Sequence, residues 1–370
     1  MDSSVRVAVI GTGAISANHV ASYRAAGATV VAVCDVDAAA LERRAREWGV
    51  ERRYRDYHAM FADGGFDVVS IAAPTAVHHP ATLAAAAAGV HVLVEKPIAL
   101  SLDLADAMID ACDRAGVLLQ VNHQLRSSAA ALRARALIAS GAIGRVTYLR
   151  LRQAHDWAGL GVRASFATRD SSGGGTLLDN GCHLMDLARF LGGPVAEVYA
   201  RTATLQYPVE VEDTAVVSLR FESGALGSVE TAWTATGWEE GFWVYGTEGA
   251  LEHTNRFGPP VLRHSHRTSP GTTWGDTDVT TYEFAGAGPH ARHIAAFLEA
   301  VAGRRSVACS GRDGREAVRL VLLAYDSAEQ DRALAVQSGT DEAAPTETSA
   351  ATPAATPTEK PAETPARVAE

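Results

Sequence analysis

Lysine is nearly absent from this sequence, although basic residues as a class are not. Of the 33 lysines and arginines, only Lys96 and Lys360 are lysines. An excess of positive charge is also missing, because the formal net charge is −10, which argues against nucleic acid as the main partner. No apolar stretch is long and uncharged enough to span a bilayer. Since the chain runs directly into a predicted strand without a charged-then-apolar leader, we expect a cytoplasmic protein that binds no membrane.

Cysteine is sparse as well. Cys34, Cys112, Cys182 and Cys309 lie far apart and show neither a CxxC pair nor a Cys/His ligand spacing. Scattered thiols of this kind predict buried cysteines in a reducing compartment. No other set of residues has a persuasive ligand spacing, so we expect no metal site.

Strands and helices alternate through the first third of the sequence. The predicted strands are apolar runs at 5–10, 29–35, 66–74, 90–94 and 117–122. The predicted helices lie at 14–26, 37–48 and 101–115, and Pro80 opens a further one at its first turn. This alternation predicts right-handed βαβ units and a parallel sheet that is buried on both faces. We therefore predict an α/β domain over residues 1–123.

The pattern changes after about residue 124. A predicted helix near 128–140 precedes several segments that alternate apolar and polar residues, such as VTYLRLR and TAVVSLRF. Successive alternating strands predict a mostly antiparallel sheet, and two helices near the end of this region complete an expected α+β domain over 124–335. Residues 336–370 are rich in Pro, Ala, Thr and Glu and contain no aromatic residue, which predicts a disordered tail.

A glycine-rich turn follows the first predicted strand. In VAVIGTGAIS, Gly11 permits a tight turn and Gly13 allows a pyrophosphate to approach the backbone, while Ala14 and Ile15 begin a helix whose free N–H groups attract phosphate. Asp35 ends the second strand, where a carboxylate accepts hydrogen bonds from ribose hydroxyls and repels a 2′-phosphate. We therefore predict an NAD site, and NADP is less favoured because no arginine directly follows Asp35.

Polar residues stand where the predicted parallel strands end. Pro74 and Thr75, Lys96 and Asn122 follow three different strands, and ligands of open parallel sheets bind beyond these carboxyl ends. A lysine in such an arginine-rich chain indicates a need for a compact amine whose pKa falls readily in a partly buried site. Such an amine can stabilise an alkoxide or relay its proton while hydride leaves carbon. A solvated surface lysine is the alternative.

A second cluster lies in GGGTLLDNGCHLMDLARFLGG, residues 173–193. Asp179 and His183 are four residues apart, which places them on one face near the start of a predicted helix. That location favours a neutral imidazole that can accept a proton, and we expect Asp179 to hold its tautomer. A core histidine bonded to the backbone is the alternative for His183.

Together these segments resemble the glucose–fructose oxidoreductase / inositol dehydrogenase / MocA (Gfo/Idh/MocA) family. GTGAIS is similar to its nucleotide turn, PTAVHHPATLAAAAAGVHVLVEKPIAL to its central segment, and LLDNGCHLMDLARFLGG to its D-x-G-x-H-x-x-D segment. The resemblance implies a Rossmann domain followed by an open-faced β-sheet domain, through which such proteins assemble into homodimers or homotetramers. It also places His78 and Glu95 in the cofactor site and a cis peptide before Pro97. The catalytic residues that it implies are Lys96, Asp179 and His183.

The sequence thus predicts an NAD-dependent dehydrogenase whose small-molecule substrate is a sugar, a cyclitol or a sugar derivative with a secondary hydroxyl. His183 is expected to accept the hydroxyl proton while Lys96 donates a hydrogen bond to the same oxygen. Indoles stack on the C–H faces of sugars, so a tryptophan of the second domain can shape the substrate pocket. For each tryptophan, packing in the core is the alternative role. The indole candidates for a substrate contact are Trp157, Trp233 and Trp238, and the weaker candidates are Arg126 and His155, for which a surface or structural role is the alternative.

Two other functions stay open at the level of sequence. The first is an NAD-dependent enzyme that cleaves glycosides through transient oxidation and elimination. The second is a non-catalytic, NAD-binding regulatory protein with the same fold.

Overall fold

The computed structural model describes residues 4–157, 167–256, 258, 260–267 and 277–337. Apart from its first two residues, the tail that we predict to be disordered lies outside the described residues. None of the described helices combines the length and the apolar composition that crossing a bilayer requires. All four cysteines are buried and free of disulfide bonds, which confirms the prediction of buried thiols.

Six parallel strands form the first sheet. They are β1 (Arg6–Ile10), β2 (Thr29–Cys34), β3 (Arg52–Tyr54), β4 (Val68–Ile71), β5 (His91–Val94) and β6 (Leu119–Val121). Their order is β3-β2-β1-β4-β5-β6, so the winding reverses between β1 and β4. Ligands of such sheets bind at the carboxyl ends of the strands near this reversal. Five of these strands match predicted strands. β3 was not predicted, because its sequence, RRY, contains no apolar run.

Helices cover both faces of this sheet. They are α1 (Ala14–Ala25), α2 (Ala38–Trp48), α3 (Tyr57–Asp63), α4 (Thr75–Ala87) and α5 (Leu102–Ala115). The prediction that Pro80 opens a helix is wrong, because α4 begins directly after Pro74 and Pro80 lies in its second turn. Proline is tolerated there at the loss of one backbone hydrogen bond.

Nine strands form the second sheet. They are β7 (Val146–Asp156), β8 (Val195–Ala203), β9 (Thr214–Phe221), β10 (Leu226–Ala232), β11 (Thr234–Gly246), β12 (Gly249–Thr254), β13 (Val261–Arg267), β14 (Thr277–Glu283) and β15 (Leu334–Ala335). Their order is β14-β13-β12-β11-β7-β10-β9-β8-β15. All neighbouring pairs are antiparallel except β7 and β10. The predicted fold class, a parallel sheet followed by a mostly antiparallel one, is confirmed.

The remaining helices pack on one face of the second sheet or link the two sheets. They are a 3-10 helix (Gln124–Ser127), α6 (Ala129–Ala139), α7 (Arg169–Ser172), α8 (Thr176–Asp179), α9 (Gly181–Gly192), α10 (Pro289–Val301) and α11 (Gly311–Gln330). Leu149 and Leu151 of β7 belong to the same buried cluster as Leu184 of α9 and Leu320 of α11. Val318, also on α11, belongs to the core of the first sheet. This helix therefore fixes the ends of the parallel strands beside α9.

Candidate active site

The glycine turn between β1 and α1 fits a dinucleotide phosphate. Gly11 has a φ of +92°, and a Cβ there would collide with the carbonyl of Ala72, so only glycine fits. A Cβ at Gly13 would stand in open space. No described side chain caps the start of α1, whose first residues are Ala14 and Ile15. Because a pyrophosphate needs free N–H groups beneath open space, this turn fits the predicted cofactor.

Asp35 directly follows β2 and anchors the glycine turn. Its Oδ2 accepts hydrogen bonds from the N and Oγ1 atoms of Thr12, both at 2.7 Å, and its Oδ1 accepts one from the N of Asp37 at 2.9 Å. The exposed Val36 follows, and its carbonyl accepts a hydrogen bond from Arg55 at 2.9 Å. A cation from a distant segment therefore contacts the backbone of the residue that follows Asp35.

His78 links two strand ends beneath the crevice. Its Nδ1 lies 2.9 Å from the carbonyl oxygen of Pro97, and its Nε2 lies 3.0 Å from that of Ala73. Both ring nitrogens thus face backbone, which leaves neither for a cofactor and gives His78 an indirect role in shaping the site. The peptide bond before Pro97 is cis, as the resemblance implies. Pro74 is exposed and Thr75 is half-buried at the same edge of the sheet.

A buried polar layer lies behind the ends of β4, β5 and β6. Glu95 accepts a hydrogen bond from Asn122 Nδ2 at 2.6 Å and lies 2.7 Å from His19 Nε2. The other ring nitrogen of His19 lies 2.7 Å from Ser70 Oγ. Burial alone would raise the pKa of Glu95, but the hydrogen bond and charge of His19 lower it to about 2. The Oδ1 of Asn122 is sealed from solvent without a partner among the described residues, so Asn122 belongs to the buried support behind the strand ends.

Lys96 connects the first sheet to the second region of the chain. Its Nζ donates hydrogen bonds to Asp179 Oδ1 at 2.6 Å and to the Asp179 carbonyl oxygen at 2.8 Å. Burial would lower the pKa of Lys96, but the Asp179 carboxylate raises it above its ordinary value. The expected fall in this pKa is therefore wrong, because the neighbouring carboxylate keeps the amine protonated.

The four-residue spacing of Asp179 and His183 does not bring the carboxylate and the imidazole into a hydrogen bond. The helix α8 ends at Asp179 and α9 begins at Gly181, with Asn180 between them. Among the described residues, the Asp179 carboxylate pairs with Lys96 and makes no hydrogen bond to His183. The prediction that Asp179 holds the His183 tautomer is therefore wrong, since its carboxylate pairs with the ammonium of Lys96.

A buried carboxylate fixes the loop that leads to Asp179. Glu212 accepts hydrogen bonds from Gly175 N at 3.1 Å, Leu177 N at 2.9 Å and Tyr325 OH at 2.8 Å. A Cβ at Gly175 would collide with the backbone carbonyl of Glu212. Gly175 therefore has to be glycine because the backbone of this segment packs directly against the backbone of Glu212.

His183 is a neutral imidazole next to the ammonium of Lys96. Burial, followed by the positive charge of Lys96, lowers the pKa of His183 well below its ordinary value. The charge of Lys96 acts on His183 because the two groups lie close together. The Nδ1 of His183 also lies 3.4 Å from the Nδ1 of His123, with the two rings T-shaped at an interplanar angle of 84°. An ammonium and a proton-accepting imidazole therefore occupy one site.

Aromatic side chains border this cluster. The ring of His155 stacks on Trp238 at 5.0 Å and on Trp157 at 5.4 Å. Trp157 in turn lies 4.5 Å from Trp233, and both of these indoles are buried, whereas 51% of Trp238 is exposed. Burial lowers the pKa of His155 while the charge of Asp179 raises it, which places the stack near the ion pair. Trp238, rather than Trp157 or Trp233, offers an accessible aromatic face.

Arg126 lies in a buried ion pair and also borders an open cavity together with Ser127 and Phe190. Its guanidinium contacts both carboxylate oxygens of Asp186, with the Nε–Oδ2 distance at 2.8 Å. It also lies 3.3 Å from Asp313 and donates to the Ala308 carbonyl at 3.1 Å. These contacts occupy most of its N–H donors, and a substrate contact of Arg126 stays a prediction. Arg126 belongs to the 3-10 helix, and its contacts with Asp186 and Asp313 join that helix to α9 and α11.

Several histidines near the site were missed by sequence reasoning. His123 follows Asn122 directly at the end of β6, so the strand-end argument that selected Asn122 could have found it. His19 lies inside α1 and His290 is the second residue of α10, and their rings are 6.3 Å apart. No local pattern marks a helical histidine as part of a site that only the tertiary fold assembles.

Two family models match the chain. Residues 5–123 match the model described as "Oxidoreductase family, NAD-binding Rossmann fold". Residues 131–252 match the "GFO/IDH/MocA C-terminal domain". The first match ends and the second begins where the parallel sheet gives way to the mixed sheet.

Curated relatives and solved structures agree with these matches. The chain is 32% identical to a D-apiose dehydrogenase of Paraburkholderia graminis, over 92% of each protein. It is also 32% identical to a 1,5-anhydro-D-fructose reductase of Ensifer adhaerens, over 90% of this chain and 99% of that protein. A levoglucosan dehydrogenase solved in complex with NADH and levoglucosan superimposes with a TM-score of 0.83 at 25% identity, covering 90% of this chain and 100% of the other.

Proposed function

The chain belongs to the Gfo/Idh/MocA family of NAD-binding oxidoreductases, and from that premise we propose that it oxidises a secondary hydroxyl of a sugar, cyclitol or sugar derivative. One observation carries the proposal. The ammonium of Lys96 pairs with Asp179 at 2.6 Å, beside the neutral imidazole of His183. These groups supply a positive charge and a proton acceptor, the two features that alcohol oxidation requires of a protein.

NAD is the proposed cofactor. When bound, it supplies the nicotinamide carbon that accepts the hydride. The open space above Gly13 and the uncapped start of α1 suit its pyrophosphate, and the Asp35 carboxylate suits a ribose with a free 2′-hydroxyl.

His183 takes the substrate proton in this reaction. Its Nε2 has no hydrogen-bond partner among the described residues and is not among the atoms sealed from solvent, so it remains accessible. Lys96 donates a hydrogen bond to the same substrate oxygen, and its charge stabilises the alkoxide as the proton leaves. The O–H proton thus passes to His183 while the C–H bond gives up a hydride. Asp179 keeps the ammonium charged and in place.

The proposed substrate is small. The relatives are named for D-apiose, 1,5-anhydro-D-fructose and levoglucosan, each a compact sugar or sugar derivative. In this chain, the exposed face of Trp238 stacks on His155 next to the ion pair. An accessible indole at that position suits the C–H face of a sugar ring.

A panel of free sugars, inositols and nucleotide sugars, each incubated with NAD, tests the proposal through the absorbance of the reduced nicotinamide. We expect reduction with at least one small sugar or cyclitol, and loss of that signal in His183→Ala. The exposed His58 provides the control His58→Ala, which should behave as wild type. The proposal fails if no member of the panel gives a signal above that of His183→Ala. Release of free sugar from glycosides without net NADH would instead indicate the glycoside-cleaving reaction.

We further propose a homodimer or homotetramer that uses the outer face of the second sheet. Leu149 and Leu151 point into the core, so alternate residues of β7 point outward. On that outer face Arg150 pairs with Glu230 at 2.7 Å, and Tyr148 is exposed. A broad face with paired charges and aromatic side chains suits a symmetric contact. The four free thiols support the accompanying proposal of a cytoplasmic location.

A further inference from the structure

We propose that His123 is a positioning residue that accepts a hydrogen bond from the Nδ1–H of His183 and thereby leaves Nε2 of His183 free to take the substrate proton. The inference rests on the proposed function and deepens it, because it concerns the same base. It also replaces the role that the sequence assigned to Asp179.

The geometry of the two rings carries the argument. His123 follows β6, and no part of its side chain is exposed. The two Nδ1 atoms are 3.4 Å apart, and the rings are nearly perpendicular. This distance is long for a hydrogen bond, as catalytic hydrogen bonds often are before substrate binds.

Only two proton arrangements make this contact favourable. A neutral imidazole has one N–H donor and one lone pair, so one Nδ1 must donate and the other must accept. If His123 donates, the proton of His183 lies on its accessible Nε2, and that atom cannot act as a base. If His183 donates, its Nε2 has a free lone pair in the crevice. The proposed chemistry therefore requires His123 to be the acceptor.

The second ring nitrogen of His123, Nε2, indicates that position 123 holds a histidine for a functional reason. In the required arrangement Nε2 of His123 has the proton, yet this atom is sealed from solvent without a partner among the described residues. Buried polar atoms are nearly always hydrogen-bonded, and exceptions call for an explanation. An aromatic ring without nitrogen would fill the same space at lower cost, so packing alone does not account for a histidine here.

Among the residues that the structure describes, the carboxylates near His183 are already paired and cannot replace His123 as its partner. Asp179 is paired with Lys96, and Asp186 is paired with Arg126. A neutral acceptor stabilises the His183 imidazolium less than a carboxylate would, so the captured proton is released easily. The charged and titratable groups that act on the two rings are Lys96, His290 and His293 for His183, and Lys96, Glu95, Asp186 and Arg126 for His123.

Nitrogen NMR of the full chain tests the inference without turnover. Long-range proton–nitrogen correlations of the histidine-labelled protein distinguish the two imidazole tautomers, and His183→Ala identifies the His183 signals. We expect the Nδ1–H tautomer of His183 in the wild-type protein. A wild-type His183 protonated on Nε2 would overturn the inference, and this measurement needs no folded His123 variant.

Two substitutions test the same inference through kinetics. His123→Phe keeps a ring but removes the acceptor, so we expect kcat to fall about 10- to 100-fold while KM changes by less than about twofold. The acid limb of the pH profile of kcat should move to lower pH, because the His183 imidazolium loses its acceptor. His123→Asn offers a carbonyl oxygen and should recover most of the rate.

The outcomes of these experiments separate the two proposals. If His123→Phe retains the wild-type kcat and pH profile, or if His123→Asn loses as much activity as His123→Phe, the inference fails while the dehydrogenase proposal stands. If no member of the substrate panel leads to reduction of NAD by the wild-type chain, the dehydrogenase proposal fails. The tautomer of His183 measured by NMR still decides the role of His123 in that case.

Discussion

The ammonium of Lys96 lies 2.6 Å from the carboxylate of Asp179, although the two residues are 83 positions apart in the chain. Lys96 is the second residue after β5 of the parallel sheet, and Asp179 ends the short helix α8 beside the mixed sheet. The fold therefore completes the site only when both regions are in place. The pair also decides the charge of Lys96, because burial alone would favour the neutral amine.

Asp179→Asn should make activity more sensitive to alkaline pH. The substitution removes the negative charge that raises the pKa of Lys96 and preserves the shape of the side chain. Because the proposed reaction needs the ammonium, the alkaline limb of kcat/KM should move to lower pH by at least about one unit. The pH dependence of kcat/KM measures the shift. Asp113→Asn, which removes the exposed partner of Arg312, is a matched control and should leave the profile unchanged.

Lys96→Ala should abolish turnover and spare cofactor binding. The loss of the positive charge next to the alkoxide should lower kcat about 100-fold or more, while the glycine turn and Asp35 are untouched. Stopped assays with the best substrate measure kcat, and fluorescence titration with NADH measures binding. The only other lysine of the chain provides the control Lys360→Ala, which should retain wild-type turnover. Near-normal kcat in Lys96→Ala would contradict the role assigned to the ammonium.

Asp35→Ser should weaken the preference for NAD over NADP. The carboxylate that repels a 2′-phosphate disappears, and the guanidinium of Arg55, bonded to the carbonyl of Val36, can then attract that phosphate. We expect the ratio of kcat/KM values for NAD and NADP to fall at least about tenfold, equivalent to about 1.4 kcal/mol. The double variant Asp35→Ser/Arg55→Ala should gain less NADP activity than the single variant Asp35→Ser, because it lacks the guanidinium. An unchanged ratio in Asp35→Ser would show that another residue discriminates.

The regular part of the fold could be predicted because its signals are local. Buried parallel strands are apolar runs, and helices such as α2 and α5 end at glycines with positive φ, Gly49 and Gly116. β3 gave no such signal, since RRY is too short and too charged. Pro80 misled the prediction of α4 because proline is also tolerated within a helix when one hydrogen bond is given up.

The only site residues that could be predicted from the sequence are those that follow a strand or belong to a short motif. Lys96, Asn122 and Asp179 lie together because topology brings strand ends and the glycine-rich segment to one edge. Which carboxylate pairs with which base depends on long-range contacts, such as that between Lys96 and Asp179, which the four-residue spacing does not reveal. The contact between His123 and His183 joins two elements that are 60 positions apart, and no local pattern encodes it.

His293→Gln should make the stability of the protein less sensitive to acid. His293 is fully buried, with Nδ1 2.7 Å from Ser127 Oγ and Nε2 2.9 Å from the Val121 carbonyl. Burial lowers its pKa to about 3, whereas an unfolded histidine titrates near about 6.5. Between these values the unfolded chain binds a proton that the folded chain does not. The contribution of neutral His293 is therefore complete above pH about 6.5 and is lost as the pH falls toward about 3.

Urea unfolding at several pH values measures this effect. In the wild type, His293 should reduce the free energy of unfolding by about 1.4 kcal/mol for each unit of pH lost at the steepest part of the curve. Glutamine keeps a donor and an acceptor but does not titrate, so the slope between pH 4 and 6 should be smaller by about this amount. His58→Gln changes an exposed histidine and should leave the slope as it is. Equal slopes in the wild type and His293→Gln would mean that His293 is protonated in the folded protein, because only a shared protonation state removes the pH dependence.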